Sequence, residues 1–185
     1  MTDQSILEKF AHPESRNFAF NQLVRKYQQK VYWHIRKMVI DHDDTDDLVQ
    51  ETFLKAWQGL ENFRGDAQLF TWLYRIASNE CLNFLAKKRR RFFLPIHDVE
   101  GELAEKIEQS AGFADAPLSG DDIQLKLQKA LLKLPEKQRL VFNMKYFDDL
   151  KYEEIADITG TSVGALKASY HHAVTKIEKF LNGED

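Results

Sequence analysis

Residues 152–181 read YEEIADITGTSVGALKASYHHAVTKIEKFL, and this stretch decides the fold of the C-terminal part of the chain. Gly160 follows the small residue Ala156 by four positions and can adopt the left-handed backbone that a tight turn between two helices needs. Thr161 or Ser162 can cap the next helix, and an aliphatic residue six positions after the glycine then points back at the first helix. The spacing predicts a helix-turn-helix whose second helix enters the major groove of DNA.

The second helix of this motif carries few charges. The side chains expected to face DNA, together with the cap, are Ser162, Lys167, Ser169, His171 and His172. Between residues 151 and 182, four lysines balance four acidic residues. Because phosphate neutralisation supplies much of the affinity for DNA, we expect this module to bind weakly unless a larger partner holds it there. An ordinary helical hairpin that packs against another element is the alternative that spacing alone leaves open.

The composition indicates a folded, soluble protein. The chain has 185 residues, of which 43% are hydrophobic, and its net charge is −3. No apolar run approaches the length of a membrane span, and the N-terminus lacks a basic segment followed by an apolar core, so we expect a cytoplasmic protein without an export signal. The single cysteine, Cys81, excludes an intrachain disulfide and a thiolate-rich zinc site.

Two helical domains joined by a linker are predicted along the chain. Residues 5–91 show helical periodicity, with apolar residues at steps of three and four from Phe20 to Ile35. Residues 92–121 contain two prolines and three glycines, and their charges are mostly acidic, which predicts a flexible acidic linker. A second helical pattern covers residues 122–182. No segment alternates apolar and polar residues as a strand does, so the expected fold class is all-α.

A second motif, FRGDAQLFTWLYRIASNECLNFLAKKRRR at residues 63–91, divides into two helical faces. One face is an apolar stripe that runs from Leu69 to Phe84. The opposite face suits single-stranded or melting DNA, because bases stack on rings, amides reach base edges and cations hold phosphates. The residues assigned to that face are Trp72, Arg75, Asn79, Asn83, Lys87 and Lys88.

The loop before this helix is GLENFRGDAQ at residues 59–68, and it contains two glycines. Such a loop can shape a pocket for a base taken out of the stack. The loop residues assigned to this contact are Phe63, Arg64, Gly65 and Asp66. For Trp72, a place in the core is an equally open interpretation, because tryptophan side chains are usually largely buried.

An acidic segment, DHDDTDDLVQE at residues 41–51, invites a metal-site interpretation. A calcium-binding loop that starts with this segment needs glycine at its sixth position and glutamate at its twelfth, and the chain has Asp46 and Thr52 there. A metal-dependent hydrolase built on His42 and Asp43 needs further ligands, and no other histidine stands in a recognisable motif. We therefore expect neither a metal site nor a catalytic residue in the segment.

A helix start fits the acidic segment better. Asp44 or Thr45 can cap the helix, and Asp46 then lies in the first turn, where the helix dipole favours negative charge. The outward face of the helix is acidic and amide-rich and could dock on a basic helical surface of a partner, although a solvated face is the open alternative. The residues of this face are Asp47, Gln50, Glu51 and Leu54.

In their order along the chain, these motifs resemble those of bacterial RNA polymerase sigma factors of the sigma-70 family. The matching stretches are DDTDDLVQETFLKAW, FRGDAQLFTWLYRIASNECLNFL and LPEKQRLVFNMKYFDDLKYEEIADITGTSVGALKASYHHAVTKIEKFL. The chain is similar to the compact extracytoplasmic-function (ECF) group, which keeps only the second and fourth sigma regions. The resemblance implies region 2 over residues 5–91, a linker over 92–121 and region 4 with its helix-turn-helix over 122–182.

The resemblance also implies partners. Asp47, Gln50 and Glu51 would contact the clamp helices of the largest subunit of core RNA polymerase, and region 4 would meet the flap of the second-largest subunit. The loop at 63–67, with Asn79, would capture a flipped base of the −10 promoter element, and the recognition helix would read the −35 element. Many members of the group are held inactive by an anti-sigma factor. The expected protein is an alternative sigma factor without catalytic activity, cofactor or small-molecule substrate.

The chain departs from the family pattern at the recognition helix. Relatives often carry arginines where this chain has Ser169 and His172, which indicates a different −35 preference. A transcription factor that binds duplex DNA as a dimer is the competing hypothesis. The absence of a dimerisation helix and the neutral charge of the module argue against it.

Overall fold

The computed structural model describes residues 1–91, residue 105 and residues 122–183, and in these ranges the chain forms eight helices and no strands. The helices are α1 Asp3–Phe10, α2 Arg16–Val39, α3 His42–Leu60, α4 Leu69–Arg91, α5 Asp122–Leu132, α6 Glu136–Tyr146, α7 Tyr152–Thr159 and α8 Val163–Asn182. The predicted all-α class with two helical domains is confirmed. The linker predicted over residues 92–121 lies outside the described residues, apart from Glu105.

The N-terminal domain is built around α2, which packs against α1, α3 and α4. The apolar residues of α2 recur at helical spacing, and its buried side chains include Leu23, Val31 and Ile35. Each is fully buried, so the stripe that predicted the helix is also the stripe that forms the core. Every neighbouring helix is thereby fixed to one central element.

Helix α3 begins three residues earlier than the acidic segment predicted. Asp41 is the N-cap, and its carboxylate accepts a hydrogen bond of 2.9 Å from the Asp44 backbone N–H. Asp43 and Asp44 therefore occupy the first turn. The prediction that Asp44 or Thr45 caps the helix is wrong, because Thr45 is a buried helical residue with no exposed surface. Several residues of this acidic run can cap a helix, and the packing of α3 places the N-cap at the first of them, Asp41.

The C-terminal helix-turn-helix forms from α7 and α8 as the spacing predicted. Gly160 has a φ of 69°, in the left-handed region, and its backbone N–H donates to the Ala156 carbonyl at 2.8 Å. The Ser162 hydroxyl accepts from the Ala165 N–H at 3.3 Å and caps α8. Leu166 is 1% exposed and packs toward α7. Both the turn and the cap are thus local consequences of the sequence.

The two domains also pack against each other. Helix α6 contacts α2 and α4, and α7 contacts α4. Leu140, Met144 and Ile158 belong to the same buried apolar cluster as the core of the N-terminal domain. A smaller cluster, formed within the C-terminal domain by α5, α6 and α8, includes Phe142 and Ala173. The helix-turn-helix is therefore held directly against α4, the helix that carries the aromatic and amide motif.

Candidate nucleic-acid interface

The residues predicted to bind a partner lie together on the outward face of α3. They are Asp47, Gln50, Glu51 and Leu54. Leu54 is 52% exposed, a large fraction for an apolar side chain. The Glu51 side chain is 45% exposed, and its carboxylate lies 3.6 Å from Lys55 Nζ. Lys55 Nζ is only 2.6 Å from Glu80 Oε1, and this hydrogen bond raises the pKa of Lys55. Glu51 is therefore the less engaged acid and remains available to a basic partner.

The loop between α3 and α4 is shaped by Gly65 and Trp72. Gly65 has a φ of 79°, a conformation that favours glycine. The Trp72 indole packs over Gly59, where a Cβ would lie 3.0 Å from the ring, and its centroid is 5.2 Å from that of Phe63. Trp72 is half-buried. Its ring thus supports the loop while part of it stays accessible.

A cavity of about 480 Å³ lies beside this loop. Phe63, Arg64 and Gly65 form one wall, and residues of α1 together with Arg16 form the other. Arg16 is ion-paired with Glu61 at the rim. The wall combines an aromatic ring, a cation and a carboxylate, which are the groups that stack on a nucleobase or hydrogen-bond to its edge.

The outward face of α4 presents a row of polar side chains at steps of four residues. The exposed members are Arg75, Asn79, Asn83 and Lys87. Lys88 does not join them, since only 12% of its side chain is exposed and its Nζ lies 3.5 Å from Asp44 Oδ2 on α3. Four of the predicted α4 residues thus share one exposed face of the helix, whereas Lys88 faces the neighbouring helix α3.

Helix α8, the second helix of the helix-turn-helix, exposes most of the residues predicted to face DNA. Lys167, His171 and His172 are exposed, and Ser169 is half-buried. Ser162 is engaged as the helix cap. The centroids of the two histidine rings are 6.1 Å apart with planes at 51°, as expected of adjacent helical residues that diverge by about 100°. The helix presents donors on its surface but no concentrated positive charge.

The predicted −10 and −35 faces partly oppose each other across the domain interface. Arg75 Nη2 donates a hydrogen bond to the carbonyl oxygen of Asp157 in α7. A cavity of about 330 Å³ lies between α4 and the helix-turn-helix, and Asn79, Thr161 and Ser169 are among its lining residues. In this arrangement, α7 engages the Arg75 guanidinium, although the side chain stays exposed.

A buried polar contact at the same interface was missed by sequence reasoning. Asp148, in the connection after α6, forms an ion pair with Lys37 Nζ, and its Oδ2 lies 3.5 Å from His34 Nδ1. Asn143 is 1% exposed and donates to the Lys37 carbonyl at 3.3 Å. Burial alone would raise the pKa of Asp148, but His34 and Lys37 outweigh it and hold this pKa below its usual value. The one sequence signal for this contact was His34, a histidine within the apolar stripe of α2.

The described residues hold neither a metal-binding cluster nor a membrane-spanning helix. No group of three or more histidine, cysteine, aspartate or glutamate side chains converges in the described ranges. His42 Nδ1 lies 3.1 Å from Asp46 Oδ2, one helical turn away. No described helix combines the length and apolar character needed to cross a bilayer.

Both domains match known sequence families. The profile described as Sigma-70 region 2 matches residues 23–91, and the one described as Sigma-70, region 4 matches residues 124–177. The RNA polymerase sigma-H factor of Pseudomonas aeruginosa strain PAO1 is 35% identical over 184 residues, which cover 97% of this chain and 93% of that protein. The ECF RNA polymerase sigma-E factor of Escherichia coli K12 is 33% identical over 183 residues, which cover 96% and 93%.

Two solved structures share the fold. CnrH, solved in complex with the cytosolic domain of CnrY, has a TM-score of 0.69 and 24% identity, and the similarity covers 99% of both chains. The sigma factor RpoE, solved with the anti-sigma factor NepR from Bartonella quintana, has a TM-score of 0.66 and 24% identity over 88% of this chain and 96% of that one. At these identities the likeness establishes the fold.

A helix-turn-helix domain packed on a helical domain with an aromatic, amide and basic face defines a DNA-binding protein of the sigma type. The chain belongs to the sigma-70 family of bacterial RNA polymerase sigma factors, in the ECF group. It is an alternative sigma factor that acts in transcription initiation.

Proposed function

We propose that this chain binds core RNA polymerase through the outward face of α3, captures unpaired −10 bases at the loop before α4 and contacts the −35 element through α8. The observation that carries the proposal is the row of Arg75, Asn79 and Asn83 beside the loop that contains Phe63. The chain contributes binding energy rather than chemistry, and catalysis stays with the polymerase. Its place of action is the cytoplasm, where the polymerase works.

Docking on the polymerase is supported by the composition of the α3 face. Asp47 and Glu51 supply negative charge, and Leu54 supplies an exposed apolar side chain at the C-terminal end of the patch. Interfaces of this kind gain most of their affinity from a few central residues and gain specificity from complementary charge. A basic helical surface, such as the clamp helices of the largest polymerase subunit, has the matching chemistry. Region 4 would engage the flap of the second-largest subunit.

Capture of a −10 base is supported by the cavity of about 480 Å³ beside the loop. An unpaired base can stack on the Phe63 ring while Arg64 approaches its phosphate. Asn79, which lines the separate cavity of about 330 Å³, would meet DNA farther along α4. Trp72 stiffens the wall through its contact with Phe63. Because the site holds only unpaired bases, each captured base shifts the duplex toward the melted state by mass action. Melting therefore needs no catalytic residue.

Reading of the −35 element rests on α8. Lys167 and the two histidines His171 and His172 are exposed on its surface, with Ser169 half-buried beside them. Four lysines balance four acids between residues 151 and 182, so the module supplies little general attraction to phosphates. Its contact with DNA is then effective only after α3 has placed the chain on the polymerase.

Regulation by an anti-sigma factor is part of the proposal. The related fold from Bartonella quintana was solved in complex with an anti-sigma factor, and residues of both domains of the present chain expose surface that a partner could cover. Leu54 on α3 and Tyr146 on α6 are 52% and 57% exposed. A partner that covers Leu54 would exclude the polymerase from the same face.

Reconstituted transcription tests the proposal. Purified chain is added to core polymerase freed of other sigma factors, with a library of promoter-containing fragments from its own genome as template. Promoter-dependent transcripts are expected with the wild type and a strong reduction with Phe63→Ala, while Asn21→Ala, at an exposed position of α2 outside the site, serves as control. Absence of transcripts from every fragment, despite a folded chain, would overturn the proposed function.

A further inference from the structure

The cavity of about 330 Å³ between α4 and the helix-turn-helix has the size and lining of a small-molecule site. Its volume falls within the range of about 300–1,000 Å³ that such sites occupy, and domain interfaces are among the places where they occur most often. Helices of both domains supply its apolar lining, which consists of Leu82, Leu140, Val141, Ile158 and Leu166. These side chains offer a surface for the apolar body of a ligand.

Several polar side chains at this cavity are not used by the fold. The Thr159 hydroxyl is engaged, because it donates a hydrogen bond to the Ile155 carbonyl at 2.8 Å. In contrast, the side chains of Asn79, Thr161 and Ser169 line the cavity and form no hydrogen bond with another described residue. A ligand can therefore bond to these groups without breaking a contact within the chain.

Lys137 gives the cavity a positive charge. Among the described residues that line the cavity it is the one charged side chain, and it forms no ion pair within the described ranges. Its neighbour Glu136 lies 3.4 Å from Arg89 Nη1 instead. The partial positive charge at the N-terminal end of α6 adds to that of the ammonium group. An anionic head group is thus favoured over a neutral or a cationic one.

We propose that this cavity binds a small amphipathic carboxylate. The carboxylate contacts Lys137 and accepts hydrogen bonds from Asn79 and Ser169, while the apolar body packs on the aliphatic lining. Because a ligand stabilises the form that binds it, the occupied cavity holds α4 and the helix-turn-helix together. Asn79 and Ser169 are also predicted DNA contacts, so occupancy withdraws them from the promoter. This last consequence rests on the proposed function, whereas the binding site does not.

Calorimetric titration of the full chain with octanoate tests the site. Octan-1-ol and octylamine carry the same alkyl chain with a neutral or a cationic head group. Octanoate is expected to bind saturably and at least about tenfold more tightly than either, because only its head group forms a charge-assisted hydrogen bond with Lys137. Absence of octanoate binding, or equal affinities for the three compounds, would overturn the proposal.

Neutralising the lysine tests the head-group contact. Lys137→Met removes the charge but keeps an aliphatic stem, and it should weaken octanoate binding at least about tenfold. Lys126→Met makes the same change at an exposed position of α5 outside the cavity and should bind like the wild type. Octanoate affinity that is the same in Lys137→Met and Lys126→Met contradicts the proposed contact.

Filling the cavity tests its location. Ala165 lies at the exposed start of α8 and lines the cavity, so Ala165→Phe should abolish octanoate binding. Ala168→Phe, on the same helix at an exposed position that does not line the cavity, should retain it. Circular dichroism establishes that both variants keep their helices. Wild-type affinity in a folded Ala165→Phe places the ligand elsewhere and overturns the site, and if that variant loses helicity, the comparison of Lys137→Met with Lys126→Met decides.

Transcription in the presence of octanoate separates the site from the proposed function. Saturating octanoate should reduce promoter-dependent transcripts made with the wild-type chain and should have a weaker effect with Lys137→Met, which also reports any action of octanoate on the polymerase itself. Unchanged transcripts at saturation would overturn the competition with DNA. If no transcripts form without octanoate while calorimetry gives the expected binding, the proposed function falls and the carboxylate site stands.

Discussion

Asp148 shows how a single carboxylate can set the orientation of a domain. Its side chain is 13% exposed and that of Lys37 is 16% exposed, so the ion pair has lost most of its hydration. Such pairs add little net stability, but removal of one partner leaves a buried charge and typically costs about 3–5 kcal/mol. The pair therefore contributes specificity, because any orientation of the domains that buried Lys37 or Asp148 without the other would carry this cost.

The lowered pKa of Asp148 predicts an acid-dependent loss of stability. The folded chain holds this pKa below the value of about 3.9 that the unfolded chain has, so the ionised carboxylate favours folding. Its contribution is complete above the unfolded pKa and disappears as the pH falls through the lower folded pKa. Between about pH 5 and about pH 3, the free energy of unfolding in urea should therefore fall more steeply for the wild type than for Asp148→Asn.

The neighbouring Asp149 provides the control for this pH series. Asp149 is exposed and has a φ of 50°, a conformation that asparagine tolerates, so Asp149→Asn should fold without strain. It keeps Asp148 and should retain the steep wild-type slope. Equal slopes for the wild type and Asp148→Asn would show that the carboxylate has no special role.

Glu51 is the residue at which polymerase binding can be tested most directly. Glu51→Lys reverses a half-exposed charge in the middle of the α3 face and is expected to weaken binding to core polymerase at least about 30-fold, or about 2 kcal/mol. Glu14→Lys makes the same change at an exposed position before α2 and should bind like the wild type. Fluorescence anisotropy of labelled chain titrated with core polymerase measures both. If Glu51→Lys binds as tightly as the control, the assignment of the α3 face is wrong.

At the scale of helices, the sequence predicts most accurately the turns and caps that depend only on residues close by in the chain. Gly160 and Ser162 lie in the helix-turn-helix as expected, since a left-handed turn and a serine cap depend on neighbours within four residues. The start of α3 was placed too late because Asp41, Asp44 and Thr45 can all cap a helix, and local chemistry does not rank them. Burial of Thr45 against the core made the choice. Boundaries within runs of equivalent residues are decided by packing.

The two glycines near the turn of the helix-turn-helix should respond oppositely to alanine. Gly160→Ala forces a Cβ into a left-handed conformation at φ 69° and should destabilise the chain by about 1–2 kcal/mol. Gly164 lies in the first turn of α8, where an added Cβ meets no atom within 4 Å, so Gly164→Ala should stabilise by about 0.4–1 kcal/mol. Urea unfolding of the two variants measures the difference. Destabilisation by Gly164→Ala equal to that of Gly160→Ala would refute the conformational explanation.

At the scale of the whole molecule, the contact between the domains could not be derived from the sequence. Periodicity assigns Met144 and Ile158 to buried faces but does not say which domain covers them. His34 in an apolar stripe signals a buried polar partner, yet Asp148 lies more than a hundred residues away, in a segment with several other acids. The candidate DNA-binding residues were identified individually, whereas the contact of Arg75 with α7 depends on the arrangement of the whole chain.

Coupling between the domains predicts that the wild type unfolds more cooperatively than Asp148→Lys. All three tryptophans, Trp33, Trp57 and Trp72, lie in the N-terminal domain, so tryptophan fluorescence reports that domain, while far-UV circular dichroism reports the helices of both. Because the buried cluster is continuous across the interface, the two signals should give coincident urea transitions for the wild type. Asp148→Lys removes the ion pair with Lys37 and should separate the two urea midpoints, whereas Glu153→Lys, at an exposed site of α7, should leave them coincident. Separate transitions in the wild type would mean that the domains unfold independently, and coincident ones in Asp148→Lys would mean that apolar contacts alone couple them.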